Sequence, residues 1–420
     1  MTYFVAILGL LMLVFVHELG HFLAAKGVGA RATKFYVGFP PALARHRRGE
    51  TEYGIGSIPL GGYVKIVGMA RPQPVDLWRI RDAADEAQLR RTEDDADELT
   101  PAVDALERAL KSGRLHEALP LTAPVAEALD RDAGLLQDAT LRQANKDLAR
   151  MTDDLDPRAY WALPVWRRIV IIAAGPFANI VAAVVILACF YVIGEPTFAP
   201  KVGKVTTNSA AASAGLAPGD LIVAVGDRTI ETPNDVAPAT AATGGKAVVI
   251  KVERGDKVVA LGPVAPRFSE ADNRYLFGIQ LEAERSGTKH SDPLTATGRA
   301  FEETWLVTKG TVEGLKGVVT PKGRDQLTTP VGIVESSSDA VSAGYYPGLL
   351  AFISLALAIF NLLPFLPLDG GHILFALLEK VYRRPIPRVV FERVSVVGIA
   401  LMLVLFIIGF TNDISRIQAP

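Results

Sequence analysis

The chain has 420 residues, half of them hydrophobic and 21% charged, with 44 Lys and Arg against 45 Asp and Glu and a formal net charge of −1. That balance argues against nucleic acid as a partner, because phosphate binding calls for a basic excess, and the single cysteine, Cys189, excludes an internal disulfide and a cysteine-rich zinc ribbon. A mean hydropathy of +0.26 in a chain this charged points to long apolar spans alternating with soluble segments.

Residues 1–16 carry no charge, and the apolar stretch runs on past His17, Glu18 and His21 to Ala25, just before Lys26. It lacks a basic n-region and holds ionisable groups where a cleavage site would sit, so it reads as a membrane helix that is kept, not as a signal peptide. Residues 31–69 are rich in glycine, aromatic and β-branched residues. The stretches 51–58 and 62–67 read as short strands joined at Pro59-Leu60-Gly61-Gly62, signals that an ordinary cytoplasmic hairpin would also give.

Residues 71–160 hold 20 acidic and 13 basic side chains. Within them Thr100 and Pro101 suit N-cap and N1 of a helix, with Val103, Leu106 and Leu110 as its apolar stripe and Gly113 beyond its end. The acidic excess repels an anionic membrane surface, and the segment reads as a helical insertion with flexible joints, a solvated spacer. The next apolar run, Ile169–Gly194, has no charge between Arg168 and Glu195. Residues 201–285 interleave β-rich runs with turns at Gly226-Asp227 and Gly255-Asp256, as expected of a small β-rich module. From 298 to 316, Phe301, Trp305, Thr308, Val312 and Leu315 recur at helical spacing. They predict an amphipathic helix, either lying on the outer membrane surface or packed on the β-rich module. Two further uncharged runs follow, Ala340–Leu368 and Val394–Asn412.

Together these runs predict an α-helical multi-pass membrane protein with about four transmembrane helices, because a bilayer asks for about 20 apolar residues per helix. The basic residues flanking them place 26–168 and 369–393 in the cytoplasm and 195–345 outside. The expected segments are 1–70, with the first span and the β-loop; the insertion 71–160; the second span, 161–195; the module 201–285; a juxtamembrane region, 290–345; and the last two spans, 346–420.

His17-Glu18-Leu19-Gly20-His21 is an H-E-x-x-H motif on a predicted helix. Positions i and i+4 share a face, so both imidazoles can reach one Zn2+, and Glu18 lies beside the metal, where it can take a proton from the attacking water. Ionisable groups in an apolar helix are costly and are kept for function. A catalytic zinc needs a third protein ligand. Asp369 is the candidate: it ends a long apolar run broken by Pro364 and Pro367 and followed by Gly370 and Gly371, and broken backbone at membrane depth lines a cavity. His372 reads as a neighbouring or surface group.

These residues resemble the site-2 protease family of intramembrane zinc metalloproteases, in its bacterial PDZ-containing branch. His17 to His21 matches the family's H-E-x-x-H. Asn361 to Gly370 resembles its N-x-x-P-x-x-x-x-D-G pattern, with Asp369 as third ligand. Ile58 to Lys65 resembles its membrane-embedded β-loop, and Gly175-Pro176-Phe177-Ala178-Asn179 its G-P-x-x-N. Asn208 to Ile230 looks like a bacterial PDZ domain, one where some members have two, and the 71–160 insertion is longer than the family pattern needs. The resemblance implies Zn2+ as cofactor, Glu18 as general base, and Asn361, Pro364 and Asn179 as substrate-holding residues. It also implies regulated cleavage, in the lipid bilayer, of single-pass membrane substrates already trimmed outside, such as anti-sigma factors or signal-peptide remnants, with an extracytoplasmic PDZ-like α+β domain screening them. Two other classes compete. A membrane-anchored PDZ scaffold with a structural metal would need a fourth ligand that the sequence does not offer, and a metal transporter would be expected to show an internal repeat.

Overall fold

The computed structural model describes residues 1–92, 95–270, 274–317 and 329–418. The chain divides into two units, residues 1–186 with 300–420, and residues 187–299.

The first unit opens with α1 (Thr2–Gly27). Several of its large apolar side chains, Phe4, Leu8 and Met12 among them, are exposed, which suits a helix solvated by lipid on one side. A hairpin follows, β1 (Ala32–Arg48) and β2 (Thr51–Ile66), turning at Gly49, whose φ of +62° favours glycine. The strands fold back on themselves. Val37 pairs with Gly62 on one side and with Ile55 on the other, while Arg45 to Arg48 pair with Gly54 to Thr51. The result is four ribbons in the order 62–66, 32–37, 51–58, 42–48.

The insertion is a packed bundle and not a solvated spacer. Its helices are α2 (Trp78–Arg90), α3 (Leu99–Lys111), α4 (Leu115–Ala118), α5 (Thr122–Arg131) and α6 (Asp138–Asp154). They bury Ile80, Leu99, Val103, Leu106, Val125 and Leu129 completely, each worth about 1.5–3 kcal/mol. Its joints are fastened. Arg31 pairs with Asp153 and Asp156, and Asp154 accepts the Gly68 N–H at 3.0 Å and, through its carbonyl, the Trp161 indole N–H at 2.7 Å. Burial holds the Asp154 carboxyl above the usual carboxylate range. Glu98, not Thr100, stands at the N-cap of α3, and Asp97 just before it accepts the Thr100 N–H at 3.1 Å.

Next comes α7 (Val165–Ile193), with Pro176 inside it. In the second unit β3 (Glu195–Val205), α8 (Ala210–Ser213), β4 (Leu221–Val225), β5 (Arg228–Thr229), α9 (Pro233–Ala242), β6 (Val248–Arg254) and β7 (Lys257–Val264) precede a small pair, β8 (Arg267–Ser269) and β9 (Arg274–Leu276), and then β10 (Ile279–Lys289). The antiparallel sheet runs β10-β3-β4-β6-β7, with β5 beside β4, over a core of Val202, Leu216, Ile222, Ile250, Val252 and Phe277. The buried Asp220 accepts two 2.7 Å bonds from the Arg254 guanidinium, which holds its carboxyl below the usual range.

The chain continues as α10 (Pro293–Gly317), where Phe301, Trp305 and Val312 are exposed and Ala296, Ala300 and Thr304 are buried. In the first unit it ends with α11 (Pro330–Ala343), α12 (Tyr346–Asn361), α13 (Asp369–Tyr382) and α14 (Arg388–Gln418). Tyr346 ties α12 to α1, its hydroxyl donating to the Ala6 carbonyl at 2.9 Å. Among the described residues, three helices are long and apolar enough to cross a membrane: Thr2–Gly27, Val165–Ile193 and Arg388–Ser415. The expected span 340–368 is not one helix. Its helical part, α12, has 16 residues, about 24 Å at 1.5 Å per residue, short of a core about 30 Å thick. Gly344, at φ +81°, separates it from α11, and Pro364 and Pro367, which have no N–H to give, leave 362–368 as an irregular link into α13.

Candidate metal centre

His17 and His21 lie one turn apart on the inner face of α1, both buried, their rings edge to face at 4.8 Å. The Nδ1 of His21 is 2.8 Å from the Ile171 carbonyl of α7. That contact makes Nδ1 the protonated nitrogen and leaves a lone pair on Nε2. Asp369 is the first residue of α13, placed by the break at Pro364 and Pro367. Its Oδ2 lies 3.1 Å from His17 Nε2 and 3.3 Å from His21 Nε2, and the two nitrogens are 3.2 Å apart. These residues form the one group of potential metal ligands found among the described residues.

The triangle fits zinc. Ligands at about 2.0–2.1 Å in a tetrahedron stand about 3.3 Å from one another, close to the three separations observed. Asp369 Oδ2 is also buried without a hydrogen-bond partner, an orphaned acceptor that a cation would satisfy. Room for the cluster comes from α7. A Cβ on Gly175 would lie 2.3 Å from His21 Nε2 and 2.9 Å from His17 Nε2. Beside the triangle, Glu18 turns to the hairpin, its Oε2 accepting the Val64 N–H at 3.1 Å.

The profile of Peptidase family M50 matches residues 5–405. The chain belongs to this family. Among its relatives, the regulator of sigma-W protease RasP of Bacillus subtilis (strain 168) is 30% identical over 96% of this chain and 96% of that protein. The zinc metalloprotease RasP of Geobacillus kaustophilus (strain HTA426) is 29% identical over 96% and 95%.

The remaining sequence-derived candidates of this M50 chain are placed differently. Asn179 is wholly buried. Its Nδ2 lies 3.4 Å from His17 Nδ1, its carbonyl accepts the Ser354 hydroxyl at 2.8 Å, and its Oδ1 has no partner. It therefore touches His17 and not an open surface. Asn361 donates its side-chain N–H to Leu357 in its own helix at 3.0 Å, and Pro364 is exposed in the link that follows. His372 sits one turn past Asp369, its ring 5.3 Å from that of Phe391. Sequence reasoning missed the Ile171 carbonyl, for which no side-chain signal exists. It missed the clearance at Gly175 too, although the residue stands in the Gly-Pro motif.

Proposed function

We propose that this M50 peptidase is an intramembrane zinc metalloprotease that hydrolyses a peptide bond in or near a transmembrane segment of single-pass membrane proteins, such as membrane-anchored anti-sigma factors. The observation that carries the reading is the triangle of His17, His21 and Asp369 with the Glu18 carboxylate beside it. Those three residues would hold the zinc, which when bound supplies a Lewis acid that polarises the scissile carbonyl and lowers the pKa of water toward about 7.

Glu18 accepts the proton of the attacking water and returns it to the nitrogen of the leaving amine. His21 is oriented by Ile171, and His17 by Asn179. With its amide turned over, Asn179 would accept the His17 Nδ1 proton on the oxygen that is otherwise orphaned. A substrate helix in lipid has every backbone bond satisfied and must unwind before cleavage. The ribbon 62–66, whose Val64 N–H faces Glu18, accepts the unwound segment as an added strand. Asn361 and Pro364, in and after the helix that leads to Asp369, contact that segment.

The apolar stretches form four passages, the short α12 being the third, with the metal centre toward the cytoplasm. The β-rich unit is a PDZ-like filter outside that admits trimmed substrates. Cysteine labelling from outside then reaches probes in 201–285 and misses those in 71–160; the reverse order would sink the orientation.

The proposal is tested by incubating the purified, zinc-replete protein in vesicles with a model transmembrane peptide. Cleavage within the apolar segment, lost on chelation and restored by zinc, is expected. A zinc-loaded protein that binds such peptides and cuts none would favour the scaffold.

A further inference from the structure

We propose that the outer ribbon of the hairpin, residues 42–48, binds the headgroups of anionic phospholipids and thereby fixes how deeply the hairpin sits in the bilayer. The proposal rests on the membrane reading of α1 and is independent of the protease chemistry.

The hairpin runs alongside α1, and its contacts form a ruler. Lys26 pairs with Glu50 beside the turn at 2.6 Å. One turn of α1 deeper, the Phe22 ring packs on Phe35 at 4.9 Å and on Tyr53 at 5.8 Å. Deeper again, Glu18 meets Val64. At the far end, a Cβ on Gly61 would lie 3.4 Å from both Val14 and Phe39. From Lys26 to Val14 is about 18 Å along the helix, at 1.5 Å per residue. The turn therefore lies level with the charged end of an apolar span, and the far end lies at the depth of its apolar middle.

Register carries the outer ribbon down the same ruler. Arg48 pairs with Thr51, Arg47 with Glu52, His46 with Tyr53, Arg45 with Gly54 and Ala44 with Ile55. At about 3.3 Å per residue, Leu43 lies about 17 Å from Arg48. The deep part is apolar and exposed: Leu43 is 72% and Ile55 55% accessible. The shallow part is basic, and Arg45 can lift its guanidinium to the level of the other two. Arg45, Arg47 and Arg48 are exposed and make no ion pair or hydrogen bond among the described residues. Of the two nearby acids, Glu50 is paired with Lys26 and Arg158, while Glu52, bonded to the Tyr36 hydroxyl and paired with Lys34, also feels the charges of Arg45 and Arg47 without forming an ion pair with either. Three unpaired guanidiniums at headgroup level, on an element whose other half enters hydrocarbon, complement an anionic leaflet in charge and in depth.

The test uses the whole chain, carrying Cys189→Ala, in vesicles of phosphatidylcholine with and without phosphatidylglycerol. Electron spin resonance of spin-labelled lipids reads the preference for phosphatidylglycerol at the protein surface, and a nitroxide on Leu43→Cys reads depth. Exchanging Arg45, Arg47 and Arg48 together for Gln should cut the preference by roughly fivefold or more, given the attraction of even one cation to such a surface. The label at 43 should become shallower in phosphatidylglycerol and stay in place in phosphatidylcholine alone. An unchanged preference with the label still buried overturns the lipid site. A label at 43 as open to an aqueous nickel chelate as one at 48 overturns the membrane reading beneath it. Retained lipid preference with weaker binding of a peptide that is acidic beside its transmembrane segment assigns the ribbon to substrate and overturns the proposal. Equal displacement of phosphatidylglycerol by inorganic phosphate, at matched ionic strength, reduces it to a simple anion site.

Discussion

Gly175→Ala adds one carbon at the most crowded point of the site. The new Cβ would lie 2.3 Å from His21 Nε2, 2.5 Å from its Cε1 and 2.9 Å from His17 Nε2. Ordinary contact is about 3.5 Å or more, so the His21 ring must withdraw by about 1 Å, several times the roughly 0.2 Å tolerance of a metal site. Retreat by the helices is opposed, because Gly20 of α1 already packs on α7, where its own Cβ would lie 2.4 Å from the Ala174 carbonyl. Overpacking costs about 1–3 kcal/mol. The better helix propensity of alanine offsets about 1 kcal/mol of that, so the protein stays folded. Zinc affinity is expected to fall by more than about 100-fold, beyond the usual loss of an outer-shell partner. Metal analysis of the purified variant, with circular dichroism to confirm its helices, reads the outcome. Full zinc occupancy with normal cleavage would show that the two imidazoles do not meet a metal in front of Gly175.

Asp369→Ala should lower zinc content and cleavage together, since it removes one of three ligands; loss of cleavage with full zinc content would displace it from the ligand set. Asn179→Ala should weaken zinc binding by about 10–100-fold while leaving maximal cleavage at saturating zinc much less affected, which a zinc titration of activity reads. The pH dependence of the β-rich unit follows from Asp220, whose carboxyl is held low chiefly by Arg254. A depressed carboxylate stabilises the fold fully above its unfolded value, about 3.9, and the contribution is lost as pH falls below that. Amide exchange in β4, corrected for intrinsic rates, should therefore lose protection below about pH 4, and Asp220→Asn should show weaker protection already at pH 7.

The parts of the fold that follow from local pattern were legible. Uncharged length marks α1, α7 and α14, and the spacing of His17 and His21 puts both on one face of α1 without any knowledge of its neighbours. Asp369 was legible as the acid after a proline-broken apolar run. Other features were not, because they depend on partners far away in the chain. Composition does not reveal that residues 32–37 pair on both sides, or that the charged insertion closes a core around Leu106 and Leu129. The Ala340–Leu368 run looks continuous in hydropathy, yet Gly344 and the two prolines divide it. Thr100 lies inside α3, with Glu98 at the N-cap and Asp97 reaching the Thr100 N–H from one residue further out, because tertiary packing decides the helix start. The clearance at Gly175 and the Asn179 contact arise only when α7 is laid against α1.

The measurement that bears most directly on the central claim is cleavage of a transmembrane substrate by Glu18→Gln, with metal content determined on the same sample. Glutamine keeps the size of the side chain and can still engage the Val64 region, yet it cannot accept a proton from water. Full zinc occupancy, retained substrate association and cleavage reduced by at least about 100-fold are expected. A variant that keeps its zinc and cuts at the wild-type rate would contradict the account.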